Sequence, residues 1–180
     1  LVGFHPMKDR PHEQVEAHHF CRVINEDLIQ CIVFDGSGPD ARLTGIEYII
    51  SAELYGDLPG EERALWHPHN YEVLSGQLVA PGLPAAIEKQ LMRRLLNSYG
   101  KAWHTWPTGL AGDADRLPLG GACLAWSFNH DGEIDAYLLS ARDARAGIDT
   151  GERRADRASL APLAHPQPGI GRHREVGQHF

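Results

Sequence analysis

The chain has 180 residues, 42% of them hydrophobic, which is enough for one domain with a substantial core and too few for two. Its formal charge of −7 excludes a general nucleic-acid binder, which needs a basic face, so no nucleic-acid partner is expected. No apolar run nears the roughly 18 residues of a membrane span, so no transmembrane segment is expected either.

Residues 1–14 are rich in His, Pro and charge, and are expected as an extended arm on the surface. They show no basic stretch followed by an apolar one, so no signal peptide is read there. Alternation from Val15 predicts a strand over 15–24, with His19 and Cys21 on its more core-like face. Asn25-Glu26-Asp27 supplies turn chemistry before a second strand over 28–34. A third strand over 41–50 has Ile46, Tyr48 and Ile50 as its more apolar face, which leaves Glu47 on the other face with Leu43 and Ile49. Ser51 caps a short helix, and Pro59 opens another that reaches Trp66. Pro68 must end it, because the residue before a proline is pushed out of the α region. A fourth strand is expected over 71–80, with Ser75-Gly76 as a bulge.

Residues 84–99 predict a helix with Ile87, Leu91, Leu95 and Tyr99 inward, Glu88 outward and Gly100 as its cap. Strands over 101–106 and 121–128 follow, separated in part by a loop at 107–112, and then a helix over 133–145 with Ile134, Tyr137, Leu138 and Ala141 inward. After Gly147 periodicity is lost. The order predicts an α+β fold: a largely antiparallel mixed sheet of about six strands with packed helices, a single domain over 1–147, and an extended or disordered tail over 148–180.

The chemistry concentrates at Trp66-His67-Pro68-His69-Asn70-Tyr71-Glu72. Residues two apart on an extended segment share a face, so the imidazoles of His67 and His69 can converge on one point. With the pair His18 and His19, and with Glu47 or Glu72 completing the shell, they form a candidate mononuclear site for a divalent metal, zinc, iron or copper. Such a site leaves a position open for water or a small-molecule ligand. The likeness to the His-x-His...Glu of cupins is partial, since only Asn70 and Tyr71 separate His69 from Glu72. The competing reading makes His67 and His69 a structural corner. Glu47, a carboxylate inside an apolar strand, needs a partner, either Arg42 or the histidines. The glycines make no phosphate loop, so no nucleotide cofactor is expected. Cys21, Cys31 and Cys123 are odd in number with no Cys-x-x-Cys, which points to unbridged thiols and a reducing, cytoplasmic setting.

Six ordered blocks carry a family resemblance: Gln14-Val15-Glu16-Ala17-His18-His19-Phe20-Cys21; Asn25-Glu26-Asp27; Ala41-Arg42-Leu43 with Gly45-Ile46-Glu47-Tyr48-Ile49-Ile50-Ser51; Leu65-Trp66-His67 with His69, Tyr71 and Glu72; Tyr99-Gly100-Lys101 with Trp103, Thr105 and Trp106; and Asp115-Arg116-Leu117-Pro118-Leu119-Gly120. Together they resemble the oil body-associated protein family, named for seed lipid-droplet members and found also in fungi and bacteria. The resemblance covers roughly residues 3–121. It implies a lipid surface as partner and carries no catalytic mechanism with it, so whether the chain is an enzyme stays open, as does homo-oligomerisation. Family members often have a cysteine where this chain has His104, and their C-terminal third differs.

Overall fold

The computed structural model describes residues 1–106 and 117–167. Seven strands, β1 (Val2–Met7), β2 (Arg10–Val23), β3 (Leu28–Phe34), β4 (Leu43–Ile50), β5 (His67–Pro68), β6 (Tyr99–His104) and β7 (Cys123–Ala125), lie in the order β4-β3-β2-β1-β7-β6-β5, with every pair antiparallel. The free edge of β4 pairs with β6, from Gly45 opposite His104 to Ile50 opposite Tyr99. The sheet thus closes into a six-stranded barrel, with β5 a short addition to the β7 edge of β6. Closure satisfies the backbone groups that an open edge would leave unpaired.

Among the described residues six helices, α1 (Ala52–Asp57), α2 (Gly60–Arg63), α3 (Asn70–Ser75), α4 (Ala85–Leu95), α5 (Ala136–Ala146) and α6 (Thr150–Arg157), lie outside the strands. One apolar cluster joins Cys31 and Ile49 of the barrel to Val73, Leu78, Met92, Leu95, Leu96 and Leu160. It seats α3 and α4 over one end of the barrel. A second cluster packs Tyr55 and Trp66 on Ile50 and Tyr99, with the two tyrosine rings stacked at 3.6 Å.

The α+β class and the antiparallel pairing agree with the sequence reading, but the sheet is closed and among the described residues contains no parallel pair. Several local expectations are overturned. The presumed surface arm contains β1, all six residues of which are buried because the strand completes the barrel between β2 and β7. The presumed fourth strand begins as helix α3, and Gly76 is its left-handed cap at φ 83° rather than a bulge. On α4 the buried residues are Glu88, Met92 and Leu95, while Ile87 is 49% exposed. Gly100 belongs to β6 and caps nothing. On α5, Arg142 is buried and Tyr137 is exposed. Beyond Gly147, α6 and a 3-10 turn (Ala158–Leu163) pack on the core through Arg157 and Leu160, so the chain is ordered where an extended tail was expected. Residues 107–116 and 168–180, which include the whole of the expected 107–112 loop and the end of the tail, lie outside the described residues.

Cys21 and Cys31 stand directly opposite on β2 and β3 and form a disulfide. Spacing in sequence could not show this, because the two are joined by a hairpin register rather than by a motif. The expectation of unbridged thiols is therefore corrected for this pair, and with it the argument for a reducing compartment loses its footing; Cys123 is a free thiol.

Candidate metal centre

Alternation along closed strands sends every second side chain inward. Register then fixes which ones meet. Cys31 lies opposite Glu47, Glu47 opposite Ala102, Gly45 opposite His104, Ile49 opposite Gly100, and His67 opposite Gly100 from the other edge. His5 of β1 and His19 of β2 enter from the far wall. The barrel interior therefore holds Glu47 surrounded by His5, His19, His67, His69 and His104, each with no more than 6% of its surface exposed.

The two carboxylate oxygens of Glu47 divide the histidines. Oε1 lies 3.2 Å from His67 Nε2 and 3.3 Å from His69 Nε2. Oε2 lies 2.8 Å from His19 Nε2 and 4.0 Å from His5 Nε2. Behind them, His5 Nδ1 and His104 Nε2 are 2.8 Å apart. Arg42, the alternative partner for Glu47, pairs instead with Asp35 at 3.2 Å.

His69 shows what the cluster lacks. Ser98 Oγ donates its one proton to the Leu95 carbonyl at 2.7 Å, so at 2.8 Å it accepts from His69 Nδ1–H. A neutral His69 then turns the lone pair of Nε2 toward the carboxylate oxygen of Glu47. Two lone pairs at 3.3 Å repel unless a cation lies between them, either a second proton or a metal ion. His67 and His19 add to this, since none of their four ring nitrogens makes a well-aligned hydrogen bond. An unsatisfied buried polar atom costs about 1–3 kcal/mol, and such an atom in a native fold calls for a ligand or a role.

Gly100 supplies the space. A Cβ at that position would fall 2.5 Å from His67 Nε2, 2.6 Å from His69 Nε2 and closer still to Glu47 Oε1. The three donors converge on a point that only glycine leaves open. Metal bonds of about 2.0–2.1 Å in a tetrahedron place neighbouring donors about 3.3 Å apart, which the Glu47 to His67 and Glu47 to His69 distances match. The donor set, imidazole plus carboxylate, suits zinc, iron and copper alike. His5, Glu47 and His67 form a further grouping whose donor atoms lie within 4.8 Å of one another.

The electrostatics agree. Burial pushes the Glu47 carboxyl up, but the field of His19 and the short contacts from His19, His67 and His69 outweigh it and hold the group well below the usual carboxylate range. Burial lowers His5 well below its ordinary value, lowers His67, and brings His104 down to about 4, favouring neutral rings that can ligate. Glu72 moves the other way: burial, helped by the nearby charge of Glu47, raises it well above its ordinary value.

Of the six sequence candidates, the structure brings His67, His69, His19 and Glu47 together. Glu72 lines the same small cavity, turned inward because helix α3 replaces the expected strand. His18 points away and binds Glu16 at 2.7 Å, since neighbours on a strand face opposite sides. His5 and His104 were missed as candidates. The alternation of the large apolar Val2 and Phe4 with Gly3 and His5 was the available signal for the first, and the shared parity of Ala102 and His104 for the second.

Three comparisons bear on this geometry. Residues 1–161 match a family described as a protein of unknown function, DUF1264. Among curated proteins the chain is 37% identical to oil body-associated protein 1B of Arabidopsis thaliana over 170 residues, which is 94% of this chain and 68% of that protein. It is 38% identical to oil body-associated protein 1A of Zea mays, over 92% of this chain and 68% of that protein, and 42% identical to oil body-associated protein 2B of Zea mays, over 77% and 55%. No solved structure matches.

Proposed function

This chain belongs to the family of the oil body-associated proteins, matched by the DUF1264 model, and from that premise we propose that its barrel docks on a lipid-body surface through an apolar outer face. One row of side chains carries the reading. Phe20, Ile32, Ile46 and Trp103 stand opposite one another in register across β2, β3, β4 and β6. The first three are 53%, 47% and 37% exposed, and Leu43 at 49% and Phe34 flank them. No described helix covers this row. Contiguous exposed apolar surface on a folded domain marks an interaction site. At about 25 cal/mol per Å², a patch of roughly 300 Å² contributes about 7 kcal/mol before association costs, which suits reversible attachment. No helix among the described residues is long and apolar enough to cross a membrane. The charge of −7 disfavours anionic lipid, so the surface expected is neutral or zwitterionic. Flotation with triolein droplets coated in phosphatidylcholine tests this: the protein rises with the droplets, and recovery wholly in the aqueous layer counts against docking.

A second reading concerns the interior, and the converging donors above Gly100 favour it. The barrel holds one divalent metal ion, with Glu47, His67 and His69 as the first ligands and His19 or His5 completing the set. Zinc, iron and copper all accept these donors. When bound, such an ion polarises or activates a small ligand at its open position. The residues of the chain exclude bulk water, hold Glu47 ionised and orient His69 through Ser98. Elemental analysis of protein purified without a metal-affinity tag is the test, with close to one equivalent expected and less than a tenth in Glu47→Gln.

A further inference from the structure

The apolar outer row has a polar row beside it. Two residues along each strand from Phe20, Ile32, Ile46 and Trp103 stand Arg22, Gln30, Tyr48 and Lys101, opposite one another in register across the same β2, β3, β4 and β6. Side chains two apart on a strand share a face, so the second row lies on the outer surface about 6.8 Å from the first. Arg22 and Gln30 are exposed, and Tyr48 is 36% exposed. On the opposite flank the face stays apolar at Phe34 and Leu43.

The polar row carries groups that nothing in the described chain satisfies. Lys101 is already engaged, with its Nζ 2.6 Å from Glu62 Oε1 and above the Trp66 ring. The Arg22 guanidinium, the Gln30 amide and the Tyr48 hydroxyl make no side-chain hydrogen bond and no ion pair among the described residues. They stand on three adjacent strands, which places their backbones within about 10 Å of one another. A guanidinium presents a fork of N–H donors that matches two oxygens of a phosphate, and an amide and a phenol add donors beside it. When an apolar face enters a lipid monolayer, the polar groups at its rim meet the headgroups. The turn past the end of the row holds Glu26 and Asp27, which disfavour a headgroup of net negative charge.

We propose that this row binds the phosphodiester of a zwitterionic phospholipid headgroup, with Arg22 as the main donor and Gln30 and Tyr48 beside it, so that the barrel prefers a phospholipid-coated surface to a phosphate-free one. This rests on the docking reading of the outer face. The apolar row supplies attachment to any lipid phase, and the polar row supplies the preference among them.

The experiment floats the full chain with triolein droplets coated in phosphatidylcholine, in phosphatidylglycerol or in monoolein, which has no phosphate. Parent and Arg22→Gln are compared by their affinity for each coat. The parent is expected to bind phosphatidylcholine at least tenfold more tightly than monoolein, and no more weakly than phosphatidylglycerol. Arg22→Gln is expected to lose at least tenfold on phosphatidylcholine, as the loss of hydrogen bonds from a charged group predicts, and to stay within about twofold of the parent on monoolein. Equal parent binding to phosphatidylcholine and monoolein overturns the inference and leaves docking standing. An Arg22→Gln that binds phosphatidylcholine like the parent, or that loses both coats alike, overturns it too. Tighter parent binding to phosphatidylglycerol makes the contact a general attraction to anions and overturns it as well. A parent that floats with none of the coats overturns the docking reading itself, and this inference with it. Circular dichroism of the variant shows that a loss reflects the surface and not the fold.

Discussion

His69 Nε2 stands 3.3 Å from Glu47 Oε1, and the proton that could have bridged them is committed on the other ring nitrogen to Ser98. The hydrogen bond to Ser98 is what makes this pair of buried polar residues a candidate cation site. Ser98→Ala removes that orienting acceptor, and loss of such a partner typically weakens metal binding by about 10–100-fold. Competition against a chelator dye measures this. An affinity equal to the parent's would show that Ser98 does not set the ring.

Gly100→Ala places a methyl group among Glu47 Oε1, His67 Nε2 and His69 Nε2. Metal content is expected to fall below a tenth of an equivalent. Gly121→Ala is the control, because a Cβ there meets nothing within 4 Å, and it keeps the parent content. Equal metal in the two variants, by elemental analysis, would remove Gly100 from the site.

Arg157 is 1% exposed and donates to Val73 and Leu78, with Glu88 at 3.3 Å. Arg157→Met leaves the Val73 and Leu78 carbonyls without their donor and takes from the buried Glu88 one of its two arginine partners, the other being Arg153 at 3.2 Å. Breaking a buried pair from one side costs about 3–5 kcal/mol. A urea titration is expected to show this as a lower midpoint. Metal affinity should fall too, since His69 caps the start of α3.

Glu16 ties β2 to α5, accepting from His18 at 2.7 Å and pairing with Arg145. Burial pushes its carboxyl up, but the bonds from His18 and Arg145 win and lower it below its ordinary 4.5. The folded value lies below the unfolded one, so the unfolded chain binds the proton more readily. Its contribution is therefore complete above pH 4.5 and is lost as pH falls through the folded value. Arg145→Ala should reduce the drop in urea midpoint between pH 6 and pH 3.5. An identical drop in both proteins would assign the acid sensitivity elsewhere.

Alternation made the inward placement of His19 legible, and the proline between His67 and His69 made their shared face legible. For the third strand, though, the apolar face of Ile46, Tyr48 and Ile50 pointed the wrong way: Ile46 and Tyr48 are exposed and Glu47 is buried. What the sequence could not show depends on closure. The pairing of β4 with β6 joins residues 49 to 59 apart, from Ile50 with Tyr99 to Gly45 with His104, and it is this contact that brings Gly100, Ala102 and His104 beside Glu47. His5 was hidden because a six-residue strand containing a proline carries too little pattern to distinguish it from an arm. Glu72 was seen as a candidate but on the wrong geometry, since six residues of α3 are too few for a helical period to declare itself. The cross-strand pair Cys21 and Cys31 needed a hairpin register that no spacing rule supplies.

The docking surface admits one direct measurement. Phe20→Ser, Ile32→Thr and Ile46→Thr together replace three exposed side chains on the outer row and leave the inward residues untouched. Exposed substitutions of this kind change stability by about 0.5 kcal/mol or less each. Flotation with phosphatidylcholine-coated triolein droplets compares parent and triple variant at matched concentration. The account predicts that the parent rises with the droplets and that the droplet-bound fraction of the variant falls at least tenfold. A variant that floats as well as the parent, or a parent that stays in solution as a dimer with the row buried between copies, would contradict it.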